Sequence, residues 1–294
     1  MSTAQITRID EASALARAQE KGKEAVALAP TDWLHRIRPP SWRTLGNLSL
    51  AWPLPLFVLL VWQLASTYEW VPPQILPSPM TVAATFRELL ETGELRDNML
   101  ISFSRVLWGF LLGAGAGGLL GIAMGLSPLA KDYLYPSFKI FAQVPVLGWL
   151  PLLMMLVGID EALKIILISK AAFVPITLNT YKGLQGVPNS YIEVARVFGF
   201  NRWQLLRRVV LPAAFPPIWS GVRYGLTHAW LALVGVELLA SSEGLGFLIV
   251  YGRQLYQLDV VLAAVVVVGA VGFVLDKALA LVETRLLRWR RESF

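Results

Sequence analysis

The sequence predicts an all-α polytopic membrane protein with six transmembrane helices and both termini in the cytoplasm. Three observations carry that expectation. Of the 294 residues 55% are hydrophobic, with a mean hydropathy of +0.56. Apolar stretches of about 20 residues, enough to cross a bilayer as helix, recur along the chain. Lys and Arg collect at the ends of these stretches and on alternate connections, which is the pattern of a chain oriented by its cytoplasmic charge.

The six stretches are 50–67, 100–126, 134–157, 162–181, 213–240 and 260–282. The third contains Pro136, Pro145 and Pro151, and proline removes a backbone donor, so this span should be kinked and lie inside the bundle. On one side lie Arg8 to Arg43, Lys131, the cations of 182–212 and Arg285 to Arg291, seventeen in all, against Arg87, Arg96 and Arg253 on the other. The first side is therefore cytoplasmic. The domains expected are a tail at 1–49 with a helix near 9–28, a transmembrane domain at 50–284 and a second tail at 285–294. The start of the chain lacks a basic region followed by an apolar core, so no cleavable signal is expected. The net charge of +6 belongs to membrane orientation rather than to nucleic-acid binding.

Residues 190–212 interrupt the oily pattern with four arginines. Ser190 and Glu193 have the spacing of a capping box, so a short helix should begin there. Gly199 supplies a left-handed stop, Asn201 a cap for a second short helix, and Pro212 a boundary after that helix. Two helices joined by a glycine elbow would form a rigid element that a soluble partner can press on. Before the second span, 75–90 opens with prolines and spaces Val82, Phe86, Leu89 and Leu90 as the apolar face of a helix lying along the interface.

Gly109, Gly113, Gly117, Gly121 and Gly125 recur every four residues and form one smooth stripe, suited to close helix packing or to a gliding or dimer-facing surface. Gly115 and Gly118 lie off it. Charged residues at membrane depth are costly unless paired or hydrated. Lys164 and Glu237, both near outer helix ends, suggest a structural ion pair, and Arg105 and Asp276 are interfacial or paired. Lys170 and Arg223 lie deeper, and two cations there would suit an anion pathway. His228 reads as a buried helix-packing residue or a substrate contact, and Asn179, Thr180 and Glu237 are further candidates for the path. No G-x4-G-K-[ST] phosphate loop occurs, and two histidines with no cysteine make a metal hydrolase improbable. Any work done must be driven by another subunit.

The segment Glu193-Val194-Ala195-x3-Gly199-x9-Val209-x-Leu211-Pro212 resembles the E-A-A-x3-G-x9-I-x-L-P signature of the type I importer permeases of the ABC class. Within that class, 53–281 resembles the sulfonate, taurine, nitrate and bicarbonate branch. This rests on Leu76-Pro77-Ser78-Pro79, on Gln143-Val-Pro145 through Trp149-Leu-Pro151, on Pro175-Ile-Thr-Leu-Asn179-Thr180 and on Ala229-Trp230-x6-Glu237. Met155-Leu-Val-Gly158-Ile-Asp160-Glu161 departs from the branch's W-F-G-I-G-E pattern. The resemblance implies that 188–212 is a coupling helix docking on an ATPase through Glu193, Ala195, Gly199, Arg202, Arg207, Arg208, Leu211 and Pro212. It also implies an outer gate at Gly244 and Gly246, a homodimer of permeases, two cytoplasmic ATPases that bind the ATP and Mg, a periplasmic or lipid-anchored binding protein, and the bacterial cytoplasmic membrane. No cofactor is expected in this chain. The substrate implied is a small anion, an aliphatic sulfonate such as taurine, with nitrate or bicarbonate as the alternative and a secondary transporter as the rival class.

Overall fold

A computed structural model describes residues 53–287. The tail 1–49 with its expected helix and cations, the first residues of the first span, and Arg288, Arg290 and Arg291 of the second tail lie outside the described residues. Helix α1 (Pro53–Thr67) crosses from a first unit ending at Val61 into a main unit beginning at Trp62. Within the main unit, Trp62 Nε1 donates to the carbonyl of Pro77 at 3.0 Å and so fixes the turn before α2 (Pro79–Glu91). Ser78 caps α2 by accepting from the Thr81 amide at 3.1 Å. Val82 and Leu89 are buried, while Phe86 and Leu90 are exposed. The apolar face is thus split between protein and surroundings, and Thr85 donates to Asp259 at 2.6 Å.

Helix α6 (Glu161–Gln185) is the centre of the fold. Helix α3 (Glu94–Leu126) lies against one side of it through the glycine stripe. A Cβ added at Gly109 would stand 2.6 Å from Ile168, at Gly117 2.7 Å from the Phe173 carbonyl, at Gly121 2.7 Å from Thr180, and at Gly125 2.6 Å from Leu184. At Gly113 it would run into the Ser169 carbonyl. The stripe is therefore a packing surface within the chain, and the off-stripe Gly115 and Gly118 have open space around them. On its other side α6 meets α9 (Leu211–Ala240), where Gly221 and Gly225 would place a Cβ 2.6 Å from Asn179 and from Ile176 respectively. Enclosed by two helices, α6 can carry Lys164, Lys170 and several hydroxyls without presenting them to lipid.

The expected third span is split. Helix α4 (Pro128–Gln143) meets a 3-10 turn (Val146–Trp149) and then α5 (Leu150–Val157) at a bend of 92°. The break falls at Pro145, because a residue before proline is pushed out of the helical region, and Val144 has φ −74° and ψ 122°. Pro136 stays within α4, and Pro151 falls in the first turn of α5, where a missing N–H costs nothing. The expectation that this span lies inside the bundle is not met within the chain, since Met155 is 87% exposed. Tyr135, Phe138 and Phe141 line one face of α4 and meet Tyr181 and Phe173 of α6 at ring separations of 5.2 to 5.9 Å.

The remaining elements are α7 (Asn189–Val197), α8 (Arg202–Leu205), α10 (Leu245–Gln254) and α11 (Leu258–Leu286). Among the described residues three helical stretches are long and apolar enough to cross a membrane: α3, the run from Arg202 to Gln254, and α11; the bent pair α4 and α5 makes a fourth if counted as one span.

The glycine clamp has a direct test. Gly113→Leu should lower the yield of monodisperse permease in detergent and cost about 1–3 kcal/mol by overpacking, whereas Gly115→Leu, one half-turn away, should leave both unchanged. Size-exclusion profiles and thermal melts of the two variants, side by side, make the comparison.

Candidate functional site

The basic segment folds as an exposed projection. The cap of helix α7 lies two residues before the position the capping-box reading gave it: Pro188 stands there and no side chain caps the helix, so Ser190 and Glu193 are solvent-exposed residues of α7. Pro188 needs no capping partner of its own, and the rigid φ of proline sets the entry angle. Ala195 is the anchor, 3% exposed. Gly199 has φ +70°, the left-handed stop the sequence called for. Asn201 and Gln204 then form a reciprocal capping box, with Gln204 N donating to Asn201 Oδ1 at 2.8 Å and Asn201 N to Gln204 Oε1 at 3.0 Å.

The second helix does not stop before Pro212. Leu206–Val210 forms a π-helical turn, with the Leu211 amide bonded to the Leu206 carbonyl, and the helix continues into α9. Pro212 has no N–H for the carbonyl four residues back and its ring crowds that carbonyl, so the ladder shifts register ahead of it. From Arg202 to Ala240 the chain is one continuous helical rod, π-helical at Leu206–Val210 and with Pro216 and Pro217 in its interior. Arg202, Arg207, Arg208 and Pro212 are exposed, Leu211 is at the exposure boundary, and Arg208 lies over the Phe200 ring at 5.9 Å. The sequence reading missed the apolar half of this surface: Val197 is 87% exposed, and Phe198 and Trp203 also stand out of it. Large hydrophobic residues in an arginine-rich segment were the available signal.

At the far end of the rod is a network of buried charge. Glu237, 1% exposed, accepts from Arg105 Nη1 at 2.8 Å, from Ser102 Oγ at 2.8 Å and from the Gly246 amide at 2.9 Å. Arg105 also binds Glu161 through two nitrogens, at 2.6 and 2.7 Å, and the Glu243 carbonyl at 2.7 Å. Lys164 pairs with Glu161 at 2.6 Å, so the expected Lys164–Glu237 pair does not form; Arg105 stands between their roles. Gly244 has φ +109°, donates to Asn98 Oδ1 at 2.6 Å and leaves no room for a Cβ beside the Glu237 carboxylate. A Cβ at Gly246 would stand 2.6 Å from Glu237 Cβ. The glycines expected at a gate are thus what lets the turn after α9 close over a buried carboxylate.

The other path candidates are dispersed. Arg223 is not an unpaired cation: it binds Asp276 at 2.8 Å and Glu283 at 3.2 Å, joining α9 to α11. His228 is exposed on α9 rather than buried, with Nδ1 2.8 Å from the Tyr224 carbonyl. Asn179 donates to Pro175 O at 2.8 Å beside Gly221, and Thr180 is buried with an unpartnered hydroxyl against Gly121. Lys170 is buried at the elbow of the split span. A cavity of about 310 Å³ between α9 and α11 is lined mostly by apolar residues such as Leu226, Trp230, Val268 and Leu275, with Thr227 and the acidic Asp276 among them, a lining unsuited to an anion.

The sequence profile of the binding-protein-dependent transport system inner membrane components matches residues 113–288. The chain belongs to that family. A putative aliphatic sulfonates transport permease, SsuC of Bacillus subtilis (strain 168), is 41% identical over 81% of this chain and 86% of its own length. The taurine transport system permease TauC of Escherichia coli (strain K12) is 34% identical over 80% and 87%. The riboflavin transport system permease RibX of Chloroflexus aurantiacus is also 34% identical, over 82% and 90%. Among solved structures, that of an amino acid ABC transporter with histidines shares the fold at a TM-score of 0.55 and 16% identity, over 68% of this chain and 97% of that one.

In this permease the buried network joins α3, α6, α9 and the turn before α10. Removing one partner of a buried pair leaves the other uncompensated, at about 3–5 kcal/mol. Glu237→Leu should therefore melt several degrees below the wild type in nanodiscs, with Glu237→Gln between them because the amide still accepts from Ser102 and Gly246. Thermal unfolding followed by circular dichroism checks the order.

Proposed function

We propose that this chain is one of two identical permease subunits that form the path of an ATP-driven importer for a small anion, an aliphatic sulfonate such as taurine. In this reading six spans cross the bacterial cytoplasmic membrane. The additional spans are α1 with the residues before it and α6, whose charges are enclosed by α3 and α9. Both tails, 1–49 and 285–294, and the 188–212 loop lie in the cytoplasm, with 50–284 as the transmembrane permease domain. The observation that carries the reading is the unbroken rod from Arg202 to Ala240. A partner that displaces the loop displaces the outer end of α9 with it. The loop's apolar crown of Val197, Phe198 and Trp203, ringed by Arg202, Arg207 and Arg208, suits a cleft on an ATPase subunit, with Glu193 exposed beside it.

Two ATPases would bind the ATP and Mg, since the chain has no phosphate loop. A periplasmic or lipid-anchored binding protein would deliver substrate to the outer face. The sulfonate reading is supported by the names of two relatives; the riboflavin relative, equal in identity to the taurine one, makes substrate choice the point to measure. In the reconstituted transporter, taurine or another alkanesulfonate bound to the binding protein should stimulate ATP hydrolysis and enter proteoliposomes. Stimulation by nitrate, bicarbonate or riboflavin alone would replace the substrate class and keep the permease. The chain purified alone should hydrolyse no ATP.

Gly199→Val should uncouple the transporter. A β-branched residue resists the left-handed φ of +70°, so the elbow should straighten and the crown lose its shape while the membrane domain stays folded. Expected are a normal melting profile, weakened ATPase binding and at least a tenfold loss of uptake; normal binding and uptake in this variant would contradict the docking role.

A further inference from the structure

Arg105, Lys164 and Arg223 each face a carboxylate. Lys170, only 8% exposed, forms no ion pair among the described residues. Its ammonium donates instead to the carbonyl of Val144, the residue before Pro145 at the break of the split span. It also lies over the rings of Phe141 and Trp149, at 5.3 and 5.9 Å from their centres. An ammonium has three donors, and that carbonyl takes one. Beside it, Trp149 Nε1 is a buried donor with no partner at all. A buried cation with no counter-ion and a buried N–H with no acceptor are each costly, and here they share one elbow. The ring faces offset part of the ammonium's cost but do nothing for the indole N–H.

One ligand chemistry answers both: a small oxyanion, with a full charge for Lys170 and a second oxygen for the indole. We propose that the elbow of the split span is an anion site, in which Lys170 Nζ and Trp149 Nε1 hold the sulfonate head group of the passing substrate. An anion on the two remaining donors draws the ammonium toward its full charge and away from the neutral Val144 carbonyl. Binding therefore loosens the tie between α4 and α6 at the point where the helix is already broken by Pro145. The turn after the break keeps its place, because Leu147 packs 3.3 Å from the Cβ position of Gly235 and Val146, Trp149 and Leu150 pack with Leu163, Leu167 and Val236. Occupancy of the site is in this way coupled to the angle between α4 and the rest. The inference rests on the reading of the protein as an anion importer.

The test uses the whole transporter in proteoliposomes, with taurine uptake and basal ATP hydrolysis measured on the same preparations. Lys170→Gln keeps a donor for Val144 and removes the charge; Lys170→Met removes both; Lys170→Arg keeps both. Uptake should fall about tenfold or more in the Gln and Met variants, with basal hydrolysis and assembly retained, and survive in Lys170→Arg. Trp149→Phe, which keeps a ring and loses the N–H, should cut uptake about three- to tenfold. A Gln variant that transports as the wild type while the Met variant fails would make Lys170 a structural tie and overturn the site. Since the chain has no cysteine, Val144→Cys gives a readout with Lys170 in place. Its reaction with a maleimide should speed up several-fold when taurine is present during ATP turnover, and equal rates with and without taurine would overturn the exchange. A wild-type transporter that takes up no sulfonate, nitrate or bicarbonate fails at the earlier step and overturns the anion-importer reading together with the site; sulfonate uptake unaffected by Lys170→Gln overturns the site alone.

Discussion

Everything else in this protein depends on how closely α6 is gripped. The glycines of α3 on one side and Gly221 and Gly225 of α9 on the other bring three helix backbones to distances at which no Cβ fits. In a bilayer the hydrophobic effect gives little reason for one apolar helix to prefer another, so association falls to close packing and polar contacts. Backbone approach supplies the first over the whole length of the clamp. It also removes lipid from α6, and this is what allows its lysines and hydroxyls to stay where they are.

Polar contacts lock the same three helices at one end. Isolated charge there would cost several kcal/mol, yet Arg105 spends its guanidinium on Glu161, Glu237 and the Glu243 carbonyl, and Glu237 has an acceptor site filled by Ser102 and by Gly246. The network fixes orientation more than it adds stability, because a buried pair roughly recovers its desolvation. At the opposite end the π turn makes the basic loop continuous with α9. Between these two fixed ends the split span is the exception: α4 and α5 meet at 92°, leave a side chain such as Met155 almost wholly exposed, and hold to α6 through aromatic rings and the Lys170 tie.

The local features were legible in the sequence because each is written in adjacent residues. The four-residue glycine period, the left-handed Gly199, the Asn201 cap and the proline break of the third span all depend on backbone chemistry within a turn or two. What could not be read were pairings between helices. Lys164 and Glu237 share a depth, but only the rotation of α3 decides that Arg105 comes between them; Arg223 looks free until α11 brings Asp276 and Glu283 to it. Ser190 and Glu193 had the spacing of a cap, and Pro188 had already begun the helix. Pro212 reads as a stop, and a register shift in the hydrogen bonds carried the helix past it. His228 sits on an apolar helix yet faces outward.

In the proposed docking role, the basic loop and the buried network move as one body while α4 moves against them. The absence of cysteine allows single dyes to be placed freely, at Ser190 and Ser242 for the loop and at Ile140 and Ser242 for α4. Single-molecule energy transfer, with one labelled copy per assembled transporter in nanodiscs, can follow both distances in nucleotide-free and ATP-trapped states. A single body carrying loop and network keeps the distance between 190 and 242 unchanged, while the distance between 140 and 242 shifts. A change in the first as large as in the second would contradict it.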